Sequence, residues 1–417
     1  MNMHSGVPAR PVVSVGDEVK VGQLIGEAAG FVSAPIHASV SGVVKRIEDR
    51  DFVTGQKVIT IMIKSDGKQT MYEGLKLPTV TNLQEFLDAV KDSGAAGLGG
   101  AGFPTAAKLT IKDIDKLDYI LINGAECEPY VTSDTRSMVG GSEYVVEGVR
   151  LLEKFFEPKK VYICIEDNKQ EAISKMREGF AGDDRVEVLE LPTLYPQGER
   201  KVLVYNVTGR IVPEGARLHD VGCFVMNCTT ITVFARYIRH GIPLVQKVVT
   251  VDGTAVRTPK NVLAPIGTPI RDLFDFCDGL IWTPKKVIMG GPMMGFALPS
   301  MDMPVVKTTN AVLAFLEEDI DRFPETPCIK CGRCIRTCPM SLMPSSIEAA
   351  YRLRKPEQLD RYKVGMCVEC GCCAYICPAK KPLVQIMQLS KDALKAHKAI
   401  QKAEADRKAA KEAKKDG

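Results

Sequence analysis

Several functional classes are excluded by what this sequence lacks. Its 417 residues contain no apolar run near the ~18 that a membrane-spanning helix requires. The net charge of +4 is small for this length, which argues against nucleic acid as a partner. The opening "MNMHSGVPARP" has no apolar signal core. A cytoplasmic chain is therefore expected, with any membrane link peripheral and made through a partner. The remaining composition, 45% apolar and 25% charged, is that of an ordinary soluble protein. At ~100–200 residues per domain it predicts two to four domains.

Cysteine is abundant and unevenly placed. Of 14 cysteines, nine fall between Cys328 and Cys377. A cytoplasmic chain does not normally use cysteines in disulfides, so the spacing is read as metal or redox chemistry. "CIKCGRCIRTCP" supplies Cys328, Cys331, Cys334 and Cys338; "CVECGCCAYICP" supplies Cys367, Cys370, Cys373 and Cys377. Both runs read C-x2-C-x2-C-x3-C-P. In two-cluster ferredoxins the fourth cysteine of each run ligates the other cluster. The pattern thus assigns Cys328, Cys331, Cys334 and Cys377 to one [4Fe–4S] cluster, and Cys367, Cys370, Cys373 and Cys338 to a second. Structural zinc is the alternative, but zinc sites build one tetrahedron from two C-x2-C pairs, not two proline-closed runs of four. Cys372 is extra and is read as a packing or hydrogen-bonding neighbour. Cys164, Cys223, Cys228 and Cys277 are read as core residues, while Cys127 is left open by its neighbours.

Along the chain, the first ~65 residues read as short strands broken by Gly and Pro. "NLQEFLDAVKDSG", "EYVVEGVRLLEKFF" and "NKQEAISKMREGF" read as helices alternating with the strands "DYILING", "KKVYICIED" and "RVEVLELP", which predicts an α/β layer. A smaller strand-rich module around "PIRDLFDFC" follows, then the cysteine runs and a Lys/Ala-rich tail expected to be a solvated helix. A tail contact with anionic lipid is the lesser reading.

"GLGGAGFPTAAKL" frees backbone N–H groups and permits close approach of a ligand. It lacks the Walker lysine-serine ending, and its helix precedes the glycines, against the dinucleotide-binding order. "ILINGAECEP" ends an apolar strand in Asn123, Glu126 and Glu128, groups able to meet ribityl or ribose hydroxyls at a strand's carboxyl end. "LYPQGERKVL" adds Gly198 and Glu199. "FVMNCTTITVF" adds Asn227 and Thr230 before a stretch read as a buried helix.

These motifs resemble the FMN- and NADH-binding fold of the complex I flavoprotein subunit. The whole chain is similar, more closely, to the C-subunit family of Rnf-type ion-translocating ferredoxin:NAD oxidoreductases. The resemblance implies a multidomain α/β and α+β chain. Its parts would be a barrel-sandwich hybrid (1–66), an FMN/NADH-binding α/β domain (75–245), a β-grasp module (246–312), a two-cluster ferredoxin-like domain (313–390) and a basic helical or disordered tail (391–417). It implies that Gly97, Gly99, Gly100 and Lys108 contact FMN, with Lys108 near the isoalloxazine or phosphate, and that Phe103 stacks on the NADH adenine. Asn123, Asn227 and Thr230 would bind the cofactor, Gly198 and Glu199 would line the pocket, and Glu126 and Glu128 would face the nicotinamide ribose or flavin edge. The complex I relative has arginine at Leu98 and aspartate at Ala125.

"GDEVKVGQLIGEAAGFVSAPIHASVSGVVKRI" is similar to biotinyl and lipoyl carrier domains, but no lysine lies between Lys20 and Lys45. That excludes a carrier role and leaves a structural or docking one. His37 is read as a packed strand residue. Rnf-type subunits usually carry a further segment ahead of "HSGVPARP"; were it absent, the module would lack an edge strand.

The reading that follows is an oxidoreductase subunit: hydride exchange between NAD(H) and FMN, and single electrons carried by two [4Fe–4S] clusters. Its partners would be other subunits of a membrane complex, with ferredoxin reached indirectly and Na+ or H+ translocation located in those subunits. Its place would be the cytoplasmic face of the membrane. A cobalamin reductase has similar parts in another order. An electron-carrier module without flavin chemistry is the non-enzymatic alternative.

Overall fold

In the computed structural model the described residues are 1–52, 55–110, 116–320 and 324–413, the last six by backbone alone. The chain forms two compact units, Met1–Val212 with Ala216–Ile320, and Pro213–Gly215 with Asp321–Gly417.

The first unit begins with β1 (Arg10–Pro11), β2 (Glu18–Val19), β3 (Leu24–Glu27), β4 (Ile36–His37), β5 (Gly42–Asp51) and β6 (Lys57–Ser65). They form two three-stranded antiparallel sheets, β1-β3-β4 and β2-β5-β6. The two sheets enclose Val19, Ile25, Ile36, Ala38 and Val44.

The α/β layer follows as α1 (Leu83–Asp92), α2 (Thr105–Leu109), β7 (Tyr119–Gly124), α3 (Ser133–Gly140), α4 (Ser142–Phe156), β8 (Lys160–Glu166), α5 (Gln170–Gly179), β9 (Val186–Leu191), α6 (Arg200–Thr208), β10 (Cys223–Asn227) and α7 (Cys228–His240). Its four strands are parallel in the order β10-β7-β8-β9. Side chains alternate between faces along a strand. Ile120 and Ile122 of β7 join Phe86, Val149, Ile231 and Phe234 on one side. Leu121 and Val225 join Leu203 and Val204 of α6 on the other. With both faces covered, near-continuous apolar strands such as "YILIN" are what this sheet needs. Side chains set the helix starts: Asn82 accepts from Glu85 N and Asn227 from Thr230 N, each cap worth about 1 kcal/mol. Cys164, Cys223 and Cys228 are buried in these cores.

The unit closes with β11 (Gln246–Asp252), β12 (Lys260–Pro265), α8 (Ile270–Phe276), β13 (Lys286–Met289), β14 (Phe296–Ala297) and β15 (Ala311–Phe315). Their mixed sheet runs β12-β11-β15-β13-β14, and α8 packs on it through Ile270, Leu273 and Phe274.

Two lysines buried in apolar segments bind these parts together. Lys307 donates from Nζ to Pro35 O at 2.6 Å and Gly94 O at 2.7 Å, and its own carbonyl accepts from Lys247 Nζ at 2.9 Å. Burial pushes each ammonium down to about 7. His37 Nδ1 is buried without a hydrogen-bond partner. Burial first, and the Lys307 charge second, push the imidazole down to about 3. The unfolded chain therefore takes up this proton first as pH falls through the ordinary histidine value of about 6.5. Stability contributed by neutral His37 is whole above that value and declines toward pH 3. His37→Leu is expected to match the parent in urea midpoint at pH 8 and to gain on it at pH 5, by up to about 2 kcal/mol at about 1.4 kcal/mol per pKa unit.

The second unit holds α9 (Arg333–Arg336), α10 (Pro344–Arg352), α11 (Pro356–Arg361), α12 (Cys372–Tyr375) and α13 (Leu383–Ala413). Its core is Leu342, Ile347, Ala350, Leu359, Val364, Ile386 and Met387. The Lys/Ala-rich tail belongs to α13, which runs unbroken from this core and still buries Leu394. No helix among the described residues is long and apolar enough to cross a membrane.

Candidate functional site

Two groups of residues carry chemistry, one in each unit. In the first unit they gather at the carboxyl end of the parallel sheet, where Asn227, Asn123 and Cys164 stand side by side in register. Asn227 is central. Its Oδ1 caps α7, and its Nδ2 donates to Asp134 Oδ2 at 2.6 Å. A Cβ at Gly99 would come 2.5 Å from that Nδ2, so the loop passes there only as glycine. Thr230 Oγ1 accepts from Leu98 N at 3.0 Å and fixes the loop from its other side. Leu98 itself is buried among Ala95, Val233, Leu244 and Ile266. A Cβ at Gly100 would meet nothing, and Phe103 is 40% exposed. The open side of the loop therefore lies at Gly100 and Phe103, while Gly97 N donates to Phe103 O to close the turn.

Asn123 donates to Gly198 O at 2.8 Å, and Gly198 N donates to Cys127 Sγ at 3.4 Å. A Cβ at Gly198 would overlap Ala125 O. Glu199 caps α6 through Lys201 N and Val202 N. Glu126 is buried and spends both oxygens on the start of α3: Asp134 N at 2.7 Å and Ser133 Oγ at 3.2 Å on one, Thr135 N and Thr135 Oγ1 at 2.9 Å each on the other. Burial first, then the Asp134 charge, raises its carboxyl above the ordinary range. Glu128 accepts from Met293 N at 3.0 Å and Met294 N at 2.8 Å, clasping the "GGPMMG" turn of the β-grasp module. A Cβ at Gly291 would collide with that carboxylate. Lys108 turns inward: its Nζ donates to Val225 O and lies 5.1 Å from the centre of the Phe224 ring. Burial first, and Arg200 second, push it down to about 7.

The structure thus brings the predicted residues to one sheet edge but engages the acidic ones with backbone donors. Two buried polar atoms there lack partners: Thr105 Oγ1, directly after the loop, and Glu166 Oε1, at the carboxyl end of β8. The orphaned Thr105 Oγ1 beside the open glycine loop fits a ligand rich in hydroxyls and amides, as FMN is. Asp134, Thr229 and Glu166 were not legible as site residues; the only signal was a carboxylate at the end of an apolar strand.

In the second unit the cysteine runs are a structural repeat. Lys330 and Glu369 both have positive φ, as do Gly332 and Gly371. Lys330 N donates to Cys328 Sγ and Glu369 N to Cys367 Sγ, each at 3.4 Å. Short helices α9 and α12 begin directly after those glycines. Cys338, Cys367, Cys370 and Cys373 line one pocket with Pro339, Leu342 and Met387. Three of the thiols come from the second run and one from the first. The Cys373 thiol is pushed up to about 12, by burial first and then by Cys367, Cys370 and Cys338. A cubane takes its thiolates on separate corners, and four cysteines around one pocket fit an iron–sulfur cluster. Of the other set, Cys328 and Cys331 are exposed and Cys334 and Cys377 half-buried. Cys372 lines the same pocket as Cys370 and Cys373.

Comparison with known proteins agrees with both halves. Residues 90–236 match the Nuo51 FMN-binding domain, 1–68 the RnfC barrel sandwich hybrid domain, 248–297 the SLBB domain and 321–378 the 4Fe-4S dicluster domain. The chain is 44% identical over 352 residues to the C subunit of the proton-translocating ferredoxin:NAD(+) oxidoreductase complex of Clostridium ljungdahlii, which spans 83% of this chain and 76% of the relative. It is 41% identical over 351 residues to the C subunit of the Na(+)-translocating ferredoxin:NAD(+) oxidoreductase complex of Acetobacterium woodii, spanning 83% and 79%. The C subunit of the ion-translocating oxidoreductase complex of Pseudomonas aeruginosa is 38% identical over 352 residues, 83% of this chain and 45% of that one. The NAD+-reducing [NiFe]-hydrogenase in the H2-reduced state is similar at 19% identity and TM-score 0.48, over 69% of this chain and 51% of that one. A likeness so slight carries no argument.

Proposed function

The chain belongs to the C-subunit family of Rnf-type ion-translocating ferredoxin:NAD(+) oxidoreductases, and from that premise we propose that it exchanges a hydride with NAD(H) and passes single electrons to or from ferredoxin-linked partner subunits. Bound FMN supplies the change between two-electron and one-electron transfer, and two [4Fe–4S] clusters supply the one-electron stations. The protein's own part is to bind, orient and enclose.

Gly97, Gly99, Gly100 and Phe103 form the surface on which the flat rings lie. Asn123, Gly198, Asn227 and Thr230 hold that surface in register. Glu126, Glu128 and Glu199 brace its walls by accepting backbone N–H groups, and Lys108 ties α2 to β10 by donating to the Val225 carbonyl. Cys367, Cys370, Cys373 and Cys338 hold one cluster, and Cys328, Cys331, Cys334 and Cys377 the other. The domain limits 1–66, 75–245, 246–312, 313–390 and 391–417 are part of the same proposal, although β15 runs across the limit at 312 and α13 across that at 390. So are peripheral attachment at the cytoplasmic membrane face and coupling to Na+ or H+ movement in other subunits.

The observation that most supports this reading is the pocket lined by cysteines from both runs. The order of the modules, sandwich first, favours it over a cobalamin reductase. The test is anaerobic reconstitution of the whole chain. About eight irons and one FMN per chain are expected, with flavin and cluster absorbance bleached by NADH. A chain that takes up zinc, or takes up iron but shows no NADH-dependent bleaching, would contradict it.

A further inference from the structure

The second cysteine run carries one thiol more than a cubane uses. Each iron takes one cysteine, and Cys338, Cys367, Cys370 and Cys373 fill those places. Cys372 lines the same pocket and is buried, as Cys370 is. Gly371 stands between the two with a φ of +84°, a turn that folds Cys372 back onto Cys370. The Cys372 N–H donates to Cys370 Sγ, and the two side chains share a second hydrogen bond. The first run is built otherwise. Cys331 stands where the second run has Cys370, Arg333 stands where it has Cys372, and both are exposed. Gly332 makes the same turn there at a φ of +71°. The turn therefore does not require a cysteine after its glycine.

Iron ligation fixes the direction of the second bond. A cysteine that ligates a metal is a thiolate and has no proton to give. The bond between the two sulfurs then persists only with Cys372 as donor and Cys370 as acceptor. A donor on a ligand sulfur draws charge from the cluster, and the reduced cluster, with one electron more, gains more from it than the oxidised one. Hydrogen bonds to the sulfurs are among the factors that set cluster potentials. We propose that the Cys372 thiol, acting through Cys370, raises the reduction potential of the cluster held by the second run. The inference rests on the reading that these cysteines hold an iron–sulfur cluster. One electron enters or leaves that cluster; no proton moves, and no covalent bond to Cys372 is made or broken.

The test is a potentiometric titration of the reconstituted full chain, followed by EPR, with Cys372→Ala and Cys372→Ser beside the parent. In Cys372→Ala half of the cluster signal should move to lower potential and the other half should stay. The expected shift is about fivefold in the reduction equilibrium, or about 40 mV at about 59 mV per tenfold for one electron. Cys372→Ser keeps a hydroxyl donor and should recover at least half of it. Resonance Raman gives a second readout. The iron–thiolate stretching bands should rise in Cys372→Ala, since a sulfur relieved of a donor binds iron more strongly, and should return toward the parent's in Cys372→Ser. Variants of full iron content whose whole signal titrates as the parent's does would overturn the proposal. So would equal shifts in Ala and Ser, which would trace the effect to packing rather than to donation. Loss of about half the iron in Cys372→Ala would overturn it as well, by making Cys372 a ligand. A parent that assembles no iron–sulfur cluster would fail the function proposed above and this inference together, whereas full iron with an unmoved signal would fail this inference alone.

Discussion

Cys338→Ala is expected to lose about four of about eight irons per chain, and to lose them from the cluster of the other cysteine run. Cys338 follows the first run in sequence, but it lines the pocket of Cys367, Cys370 and Cys373. Its sulfur accepts from Leu342 N at 3.4 Å, which turns it toward that core. If each run held its own cluster, the loss would instead free Cys328, Cys331 and Cys334. Alkylation followed by peptide mass mapping separates the two outcomes. Crossed ligation leaves Cys367, Cys370 and Cys373 open to the reagent in Cys338→Ala, with Cys328, Cys331 and Cys334 protected. Cys377→Ala should give the reverse pattern. Labelling of the first run in Cys338→Ala would defeat the crossed assignment.

The cysteine spacing was legible because a cubane fixes ligand number and reach within a few residues of chain. The parallel sheet was legible because strands covered on both faces are apolar along their whole length, as "ILIN" and "VYICI" are. The placement of Glu126 and Glu128 was not. The sequence shows two carboxylates at a strand end, free to meet a ligand. The structure spends one on the start of α3 and the other on a turn more than 160 residues away. Such partners are set by tertiary approach, and no local pattern marks them. Lys108 turned inward for the same reason: Phe224 and Val225, which receive it, belong to a strand far along the chain. Lys247 and Lys307 did leave a trace, each being a cation inside an apolar run, "VQKVVTV" and "PVVKTT". Buried charges of this kind are kept only when hydrogen-bonded, and both are.

The longest chain of such contacts runs from Glu126 to the glycine loop, and Asp134 is its midpoint. Glu126 fixes the start of α3, which sets Asp134 in place. Asp134 accepts from Asn227 Nδ2 and from Thr229 Oγ1, each at 2.6 Å. Asn227 crowds Gly99, and Thr230 holds Leu98 N. Asp134→Ala removes both acceptors from a buried place. With about 1.5–3 kcal/mol for each hydrogen bond to a charged group, the fold should lose about 3–6 kcal/mol, and FMN should be released because the loop loses its floor. Asp134→Asn should cost far less. Its carbonyl oxygen keeps the bond from Asn227, its amide donates to Thr229 Oγ1 once that hydroxyl rotates, and the like charge beside Glu126 is gone. Glu126 should then ionise more readily than in the parent. Urea unfolding together with FMN content per chain checks the pair of variants. Equal losses for Ala and Asn would mean that the negative charge of Asp134, rather than its two acceptor positions, supports the loop.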